Sequence, residues 1–495
     1  MRPKRKTANK RSTPMALKAA FAVCGLLLAA GAWSWAVETL DVPPRALASH
    51  VERRALGHNA AVLSISSYLA RFLLRLDRAD APQPEGYEQG IGGDTNADMP
   101  SRSSNAPNKV VLVATAADAI RAIEQAQPGD AITFIPGTYR FAARGIAANR
   151  AGTAAAAIQV RADRPATVTL EFDMTEGFVV SEPYWTFENL NIRGVCARHA
   201  DCEHAFHVVA RAHHFVARNN NISDFNAHFK INGAGAVFPD GGLIDGNTLS
   251  NRGVRQTDSS VTPIDLVAAS HWTIRGNRIS DFSKSGSDRT SYGAFAKGGG
   301  AGNVFERNIV VCEHLVRGEP GYRVGIALGG GGTGKEYCRD TRCITEQDGG
   351  SIHTNLIMSC SDDGIYINRS ATSRVVHNTL LDTGGIAVRF AQSSAEVEGN
   401  LVDGAIRSRD DGVIHASDNI DTSMTRLYLG SHPVRGMFRD LATLSWSETP
   451  PRRQRGEKPT LDLCGMQRPS NPTYGAFEDF SRCKLGQAPA RSSPR

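Results

Sequence analysis

The stretch from Ser291 to Asn308 reads SYGAFAKGGGAGNVFERN and carries a lone lysine, Lys297, directly ahead of a glycine run. An amine works as a general base only where burial or neighbouring cations lower its proton affinity. Glycines beside it let another chain approach closely. Lys297 is therefore the first candidate for a working group, with Arg323 and Arg317 as cations close enough in sequence to tune it. The plainer reading is an exposed lysine beside a loop.

A second group lies in CEHAFHVV, which holds Glu203, His204 and His207. If Ala205 to Val209 is a strand, His207 shares a face with Ala205 and Val209, and His204 points to the other. His207 is then a substrate contact or acid–base group, or else a histidine ordered by a nearby disulfide. Downstream, Asp224 to Lys230 places Asn226, His228 and Lys230 on one strand face, and Asp265 sits inside the apolar strand Thr262 to Val267. An acid in that position either faces outward or is buried with a partner. If His228, Lys230, Asp265 and Lys297 fall on one sheet in successive turns of the chain, they line a groove at about 4.8 Å per turn. Arg389 in IAVRF points out of a strand and suits a carboxylate, or is simply solvated. Asp362 and Asp363 form a carboxylate pair fit for acid–base hydrolysis, but Asp-Asp-Gly is equally a turn. The run Gly329 to Gly332 lacks the Lys-Ser/Thr ending of a phosphate loop, which argues against a nucleotide role.

These groups need a scaffold. The chain has 495 residues, 41% of them hydrophobic, with 48 glycines, which suits a turn-rich β protein with an ample core. The net charge of +6 comes from the N-terminus, where seven basic residues between Arg2 and Lys18 meet no acid. The remainder is nearly neutral and offers no broad cationic face, so nucleic acid is not an expected partner.

Residues 1–18 read as a basic cytoplasmic tail, and the apolar run Ala19 to Ala36 as a transmembrane signal-anchor. Ser34-Trp35-Ala36 also fits a cleavage site, so a cleaved signal peptide is the rival reading. The body is thus expected in the periplasm on an inner-membrane anchor, or secreted after cleavage. Nine cysteines fit export. With Cys24 in the apolar run, the expected pairs are Cys196 with Cys202, Cys338 with Cys343, Cys464 with Cys483, and Cys312 with Cys360. No second pair of metal-ligand spacing accompanies Cys338 and Cys343, so a zinc knuckle there is not expected.

Residues 37–80 read as helical, with Val62, Ile65, Leu69, Phe72, Leu73 and Leu76 at three- and four-residue steps. This helix packs on the next domain, on a partner or on a membrane surface. Residues 81–108, rich in Pro, Gly, Ser and Asn, read as a disordered linker. A short helix, Ala116 to Ala126, then opens a series of short strands. Its signature is a repeated Asn-x-aliphatic unit at Asn220, Asn247, Asn277, Asn308, Asn355, Asn378 and Asn400. Most intervals run from 22 to 31 residues, with one of 47. Such a period matches one coil of a parallel β-helix, in which every coil adds a strand to each sheet around a continuous core. The asparagines are then a stacking ladder, not catalytic groups. The long interval carries an insertion, roughly His314 to Gly349, of the kind that lies on a functional face. The expected fold is all-β, a parallel β-helix over 109–420, followed by a C-terminal cap and tail over 421–495.

The segment PGDAITFIPGTYR…AIQVRA…VTLE, from Pro128 to Glu171, resembles the opening coils of the chondroitinase B-like and alginate lyase-like proteins of polysaccharide lyase family 6. That resemblance implies a right-handed β-helix and β-elimination on an acidic polysaccharide, with a lysine as base and an arginine as acid. Lys297, ahead of Asn303-Val304-Phe305-Glu306-Arg307-Asn308, matches the lysine with about two extra residues. The arginine falls one coil later, where Gly325 to Gly329 has none, and Arg323 or Arg317 stands in. The family's calcium ligands correspond to Tyr292 and Thr290, so no cofactor is expected here. Elimination on a uronate needs a base for the C5 proton, positive charge for the enolate and an acid for the leaving oxygen. The alternative is a non-catalytic glycan-binding or cell-envelope protein on the same scaffold. The signatures of inverting pectin hydrolases are absent around Asp362 and Asp363.

Overall fold

The computed structural model describes residues 15–55, 57–78, 91–93, 107–330, 332–454 and 460–485. Most of the expected basic tail, nearly all of the expected linker and the last ten residues lie outside that set. Within it, three long parallel sheets run side by side. One has twelve strands, from Lys109–Val113 to Val413–Ser417, and two have ten, from Gly137–Ala142 to Leu401–Val402 and from Ile146–Ala148 to Ala405–Arg409. From the strand Asp130–Phe134 onward the chain passes from sheet to sheet, so that successive coils visit all three. The chain is a parallel β-helix, as the spacing of its asparagines led us to expect.

The core follows from the alternation along the strands. In the third sheet Phe178, Phe206, Phe229, Ile264, Ala294, Ile326, Ile365, Ile386 and Ile406 align in register from coil to coil. Phe206 stacks on Phe178 at 5.3 Å and on Phe229 at 5.1 Å. At one corner the repeated asparagines form the expected ladder. The backbone N–H and amide Nδ2 of Asn220 both donate to Asn247 Oδ1, at 3.0 and 2.9 Å. The same double contact recurs through Asn277, Asn308, Asn355, Asn378 and Asn400 to Asn419. Helix Ala116–Glu124, capped by Thr115, buries Ala119 and Ile123 over the open end of the first coils.

The N-terminal residues form helix α1 (Met15–Leu40), α2 (Pro44–Ala55) and α3 (Ala60–Arg78). Among the described residues no helix is long and apolar enough to cross a membrane, so the transmembrane segment expected over Ala19 to Ala36 is not found there. Instead, the end of α1 docks on the C-terminal cap: Val37 is buried with Met424 and Leu427, and Glu38 accepts from the Thr425 N–H. The expected apolar spacing of α3 does not all face inward. Ala70 and Leu73 are buried, but Ile65 and Phe72 are 69% and 51% exposed. The helices are fastened by charge. Arg45 pairs with Asp77 and Asp382, Arg78 with Glu313 and Asp382, and Arg317 also reaches Asp382. Burial works to raise the Asp382 carboxyl, but Arg78 and Arg45 outweigh it and hold it near about 2.

All four expected disulfides are present: Cys196–Cys202, Cys312–Cys360, Cys338–Cys343 and Cys464–Cys483. Cys24 is free and exposed.

Candidate functional site

The outer face of the third sheet carries the candidate site. Its register aligns His207, Lys230, Asp265, Phe295, Ala327 and Tyr366 in one column, one residue per coil. Lys297 stands two residues beyond Phe295 on the same strand, Thr290–Lys297, opposite Val267. Lys230, Asp265 and Lys297 thus occupy successive coils of one sheet, as the sequence spacing requires of a groove.

Lys297 is half-buried. Its ammonium lies 4.3 Å from the centroid of Phe295. Its stem runs against Gly330, where an added Cβ would come within 3.0 Å of Lys297 Cδ. The insertion after Leu328 packs around this lysine, with the Arg339 N–H donating to Gly298 O and the Gly299 N–H to Glu346 O, each at 2.8 Å. Desolvation pushes the Lys297 pKa below its ordinary value; Lys230 adds to that, and Asp265 and Glu346 oppose it. Lys230 donates to Asp265 Oδ2 at 2.9 Å, which holds a second cation on the wall.

Two further residues complete the surroundings of Lys297. Asn368 Nδ2 donates to Gly330 O at 3.1 Å and lies 3.2 Å from Tyr366 Oη. Burial raises the Tyr366 pKa, so its phenol stays a donor at neutral pH. Neither residue stands out in sequence as a site residue. The signal was their spacing two apart on the strand Ile365–Asn368, which puts both on the outward face.

The other expected residues divide. His207 is on the wall, with Nδ1 2.6 Å from Glu176 Oε1 and Nε2 3.0 Å from Asn232 Oδ1. His204 does not point away from His207 as strand alternation suggested. It occupies the first position of the strand His204–Val209, where the chain is leaving a turn, and its Nδ1 comes to 3.8 Å from the same Glu176 oxygen. His228 is fully buried and not available to a substrate, contrary to expectation. Burial lowers its pKa to about 4, and its Nε2 faces Ser250 O at 3.1 Å. Arg323 is also off the wall. It is 1% exposed, bound to Glu313 at 3.2 Å, Ser283 Oγ at 2.7 Å and the carbonyls of Glu319, Pro320 and Gly321. A guanidinium so committed supports the loop before its strand, and its one unpartnered group, the Nε–H, is buried away from solvent. Arg389 is at the far end of the wall, paired with Asp410 and over the Phe390 ring at 4.6 Å. Of the two aspartates, Asp363 is paired with Arg407. Asp362 is raised to about 6 by desolvation and then by Asp363. Beyond His228, a cavity of about 580 Å³ is lined by Arg193, Arg252 and Arg255, which are already engaged by Glu171, Asp224 and Asn226.

Residues 204–423 match the family described as right handed beta helix region. No curated protein matches the sequence. Among solved structures the chain is similar to a pectate lyase, Pel9A, at 16% identity and a TM-score of 0.47, covering 76% of this chain and 98% of that one. It is similar to an alginate lyase from a Paenibacillus species at 15% identity and a TM-score of 0.33, over 63% and 99% of the two chains. A PL6 family polysaccharide lyase from Pseudopedobacter saltans shows 15% identity and a TM-score of 0.31, over 64% and 92%. The three sheets make the fold a parallel β-helix, and the match over residues 204–423 is to its right-handed form.

Proposed function

We propose that the chain is a polysaccharide lyase that cleaves an acidic glycan by β-elimination on the outer face of its third sheet. The observation that carries this reading is Lys297: an amine half-buried on the outer face of the sheet, desolvated, with its pKa lowered and with Lys230 two coils away on the same sheet. In this reading Lys297 takes the C5 proton of a uronate, and Lys230 offers positive charge to the enolate. Tyr366, a protonated phenol on the same column, replaces Arg323 as the candidate acid for the leaving oxygen. Tyr366, only partly buried, gives a sugar ring an apolar face, and Arg389 offers a carboxylate contact further along. Calcium is not part of this reading, because Tyr292 and Thr290 stand where the resemblance calls for acids.

Action outside the cytoplasm belongs to the same proposal and is supported by the four disulfides. The exposed Leu27, Leu28, Ile65 and Phe72 of α1 and α3 suit attachment to a membrane surface. Thiol titration of protein isolated without reductant should then find one free cysteine.

The test is the ultraviolet absorbance of the unsaturated uronate left by elimination, with the full chain offered a panel of uronate-containing glycans. Lys297→Ala should lower the rate by about 100- to 10,000-fold. No absorbance from any glycan, with binding retained, would favour the second reading, a non-catalytic glycan-binding protein. The engagement of Arg323 with Glu313 is the observation on that side.

A further inference from the structure

We propose that Glu176, His204 and His207 form a binding site for a divalent transition-metal ion of the zinc class. The three side chains come from adjacent coils of the third sheet, on the strands Glu176–Val180 and His204–Val209. One ligand atom from each lies within 4.8 Å of the others. Two imidazoles and one carboxylate suit zinc, cobalt or nickel, whereas calcium takes six to eight oxygens.

Two details of the geometry point to a cation between these groups. First, His204 Nδ1 is buried without a hydrogen-bond partner, 3.8 Å from Glu176 Oε1. That distance is too long for a hydrogen bond. It fits two donor atoms that share one ion, each about 2.0–2.2 Å from it. Second, the His207 ring is oriented by Asn232. The Asn232 amide donates from Nδ2 to Gly233 O at 3.0 Å and so turns Oδ1 toward His207 Nε2. With its N–H on Nε2, the ring faces the Glu176 carboxylate with the Nδ1 lone pair at 2.6 Å. At that separation a proton bridges the two atoms, and an ion bound about 2.0–2.2 Å from each takes its place once they part to about 3.4 Å. An ion satisfies His207, Glu176 and the orphaned His204 nitrogen together, and a proton on His207 satisfies only the first two. Asn232 then does what an outer partner of a ligating histidine does, fixing its tautomer.

The site keeps access to solvent, with Glu176 at 36%, His207 at 21% and His204 at 17% side-chain exposure. Three protein ligands leave at least one coordination position for water or a carboxylate. His207 is in register with Lys230, so the ion would sit on the same wall as Lys297. A role in holding a uronate carboxylate rests on the lyase reading; binding of the ion does not.

The experiment is calorimetric titration of the chelator-stripped full chain with zinc chloride, with calcium chloride in parallel. We expect one equivalent of zinc and no calcium. His204→Gln and Glu176→Gln should each weaken zinc binding at least about 10-fold, and Asn232→Ala about 10- to 100-fold. Cobalt titration of the wild-type chain needs no variant and should give the visible absorption of a low-symmetry nitrogen–oxygen site. The adjacent pair His213 and His214 is the internal control. Zinc binding that is lost in His213→Gln but survives His204→Gln would overturn the proposal. So would no zinc binding and no cobalt spectrum, which would leave His207 and Glu176 as a hydrogen-bonded pair.

Discussion

Removing one rung of the asparagine ladder should cost far more than a surface amide is worth. Asn308 sits at the centre, fully buried, and its side chain makes four hydrogen bonds. Its Oδ1 accepts from the backbone N–H and the Nδ2 of Asn277, both at 3.0 Å. Its Nδ2 donates to Ile274 O and to Asn355 Oδ1, both at 2.9 Å. Asn308→Ala deletes all four and leaves the Asn277 backbone N–H buried without an acceptor. At about 1 kcal/mol net per bond, and more for the orphaned donor, the loss is about 4 kcal/mol. That is a large share of a folded protein's usual margin of about 5–15 kcal/mol. Asn419, the last rung, makes similar contacts at a partly exposed end, where water replaces what is lost. Asn419→Ala should cost about 1 kcal/mol. Urea unfolding with disulfides intact, followed by tryptophan fluorescence, measures both, since Trp185 and Trp272 are buried within the same solenoid. A loss below about 1 kcal/mol at Asn308, or equal losses at the two positions, would refute the argument that burial of the ladder sets its worth.

Two more outcomes follow from the charges. Asp265 supports the protonated form of Lys297 and Lys230 opposes it, so Asp265→Asn should move the acid limb of the elimination rate to lower pH and Lys230→Met to higher pH; shifts in the same direction would disconnect those groups from the base. Asp382 is held near about 2, below the ordinary 3.8, so its contribution to docking the N-terminal helices is present above pH 4 and lost as pH falls toward 2. The difference corresponds to about 2 kcal/mol. Acid titration followed by proteolysis of α2 and α3 should show that loss in the wild type and a flatter profile in Asp382→Asn; identical profiles would place the acid sensitivity elsewhere.

The architecture was legible because it repeats. A β-helix coil must return an apolar residue to the same inward column and an asparagine to the same corner, so Asn220 through Asn400 and the residues after them announce the coil length directly. The disulfides were legible for the same reason: once Cys338, Cys464 and Cys196 have close partners in sequence, Cys312 and Cys360 remain, and they follow equivalent strands, Ile309–Val311 and Leu356–Met358, of neighbouring coils. The N-terminal helices were harder to place. Their apolar residues indicate helices, but α2 and α3 are fixed to the body by buried arginines, and nothing in a one-dimensional pattern pairs Arg45 with an aspartate more than three hundred residues away.

The site was legible only where it obeys the strand alternation. Lys230, Asp265 and Lys297 lie within regular strands of one sheet, so counting positions placed them on one wall. The same rule put His228 on that wall as well, and there it failed, because accessibility depends on what covers a strand, not only on which way a residue points. The loop carrying Arg255 closes over that corner, with Arg255 donating to Asn226 and to the carbonyls of His199 and Cys202. Arg323 failed in the opposite sense. It is near Lys297 in the coil sequence, but a buried acid, Glu313, from the turn after the strand Ile309–Val311, claims it first. His204 and Glu176 were missed as a pair because they are first residues of their strands, where the alternation has not yet begun. In a solenoid of this kind the sequence period fixes positions along a sheet, and the turns decide which of those positions can meet a ligand. The residues most in need of direct tests are therefore those beside turns: Lys297 against Gly330, and the Glu176, His204 and His207 cluster at the start of two coils.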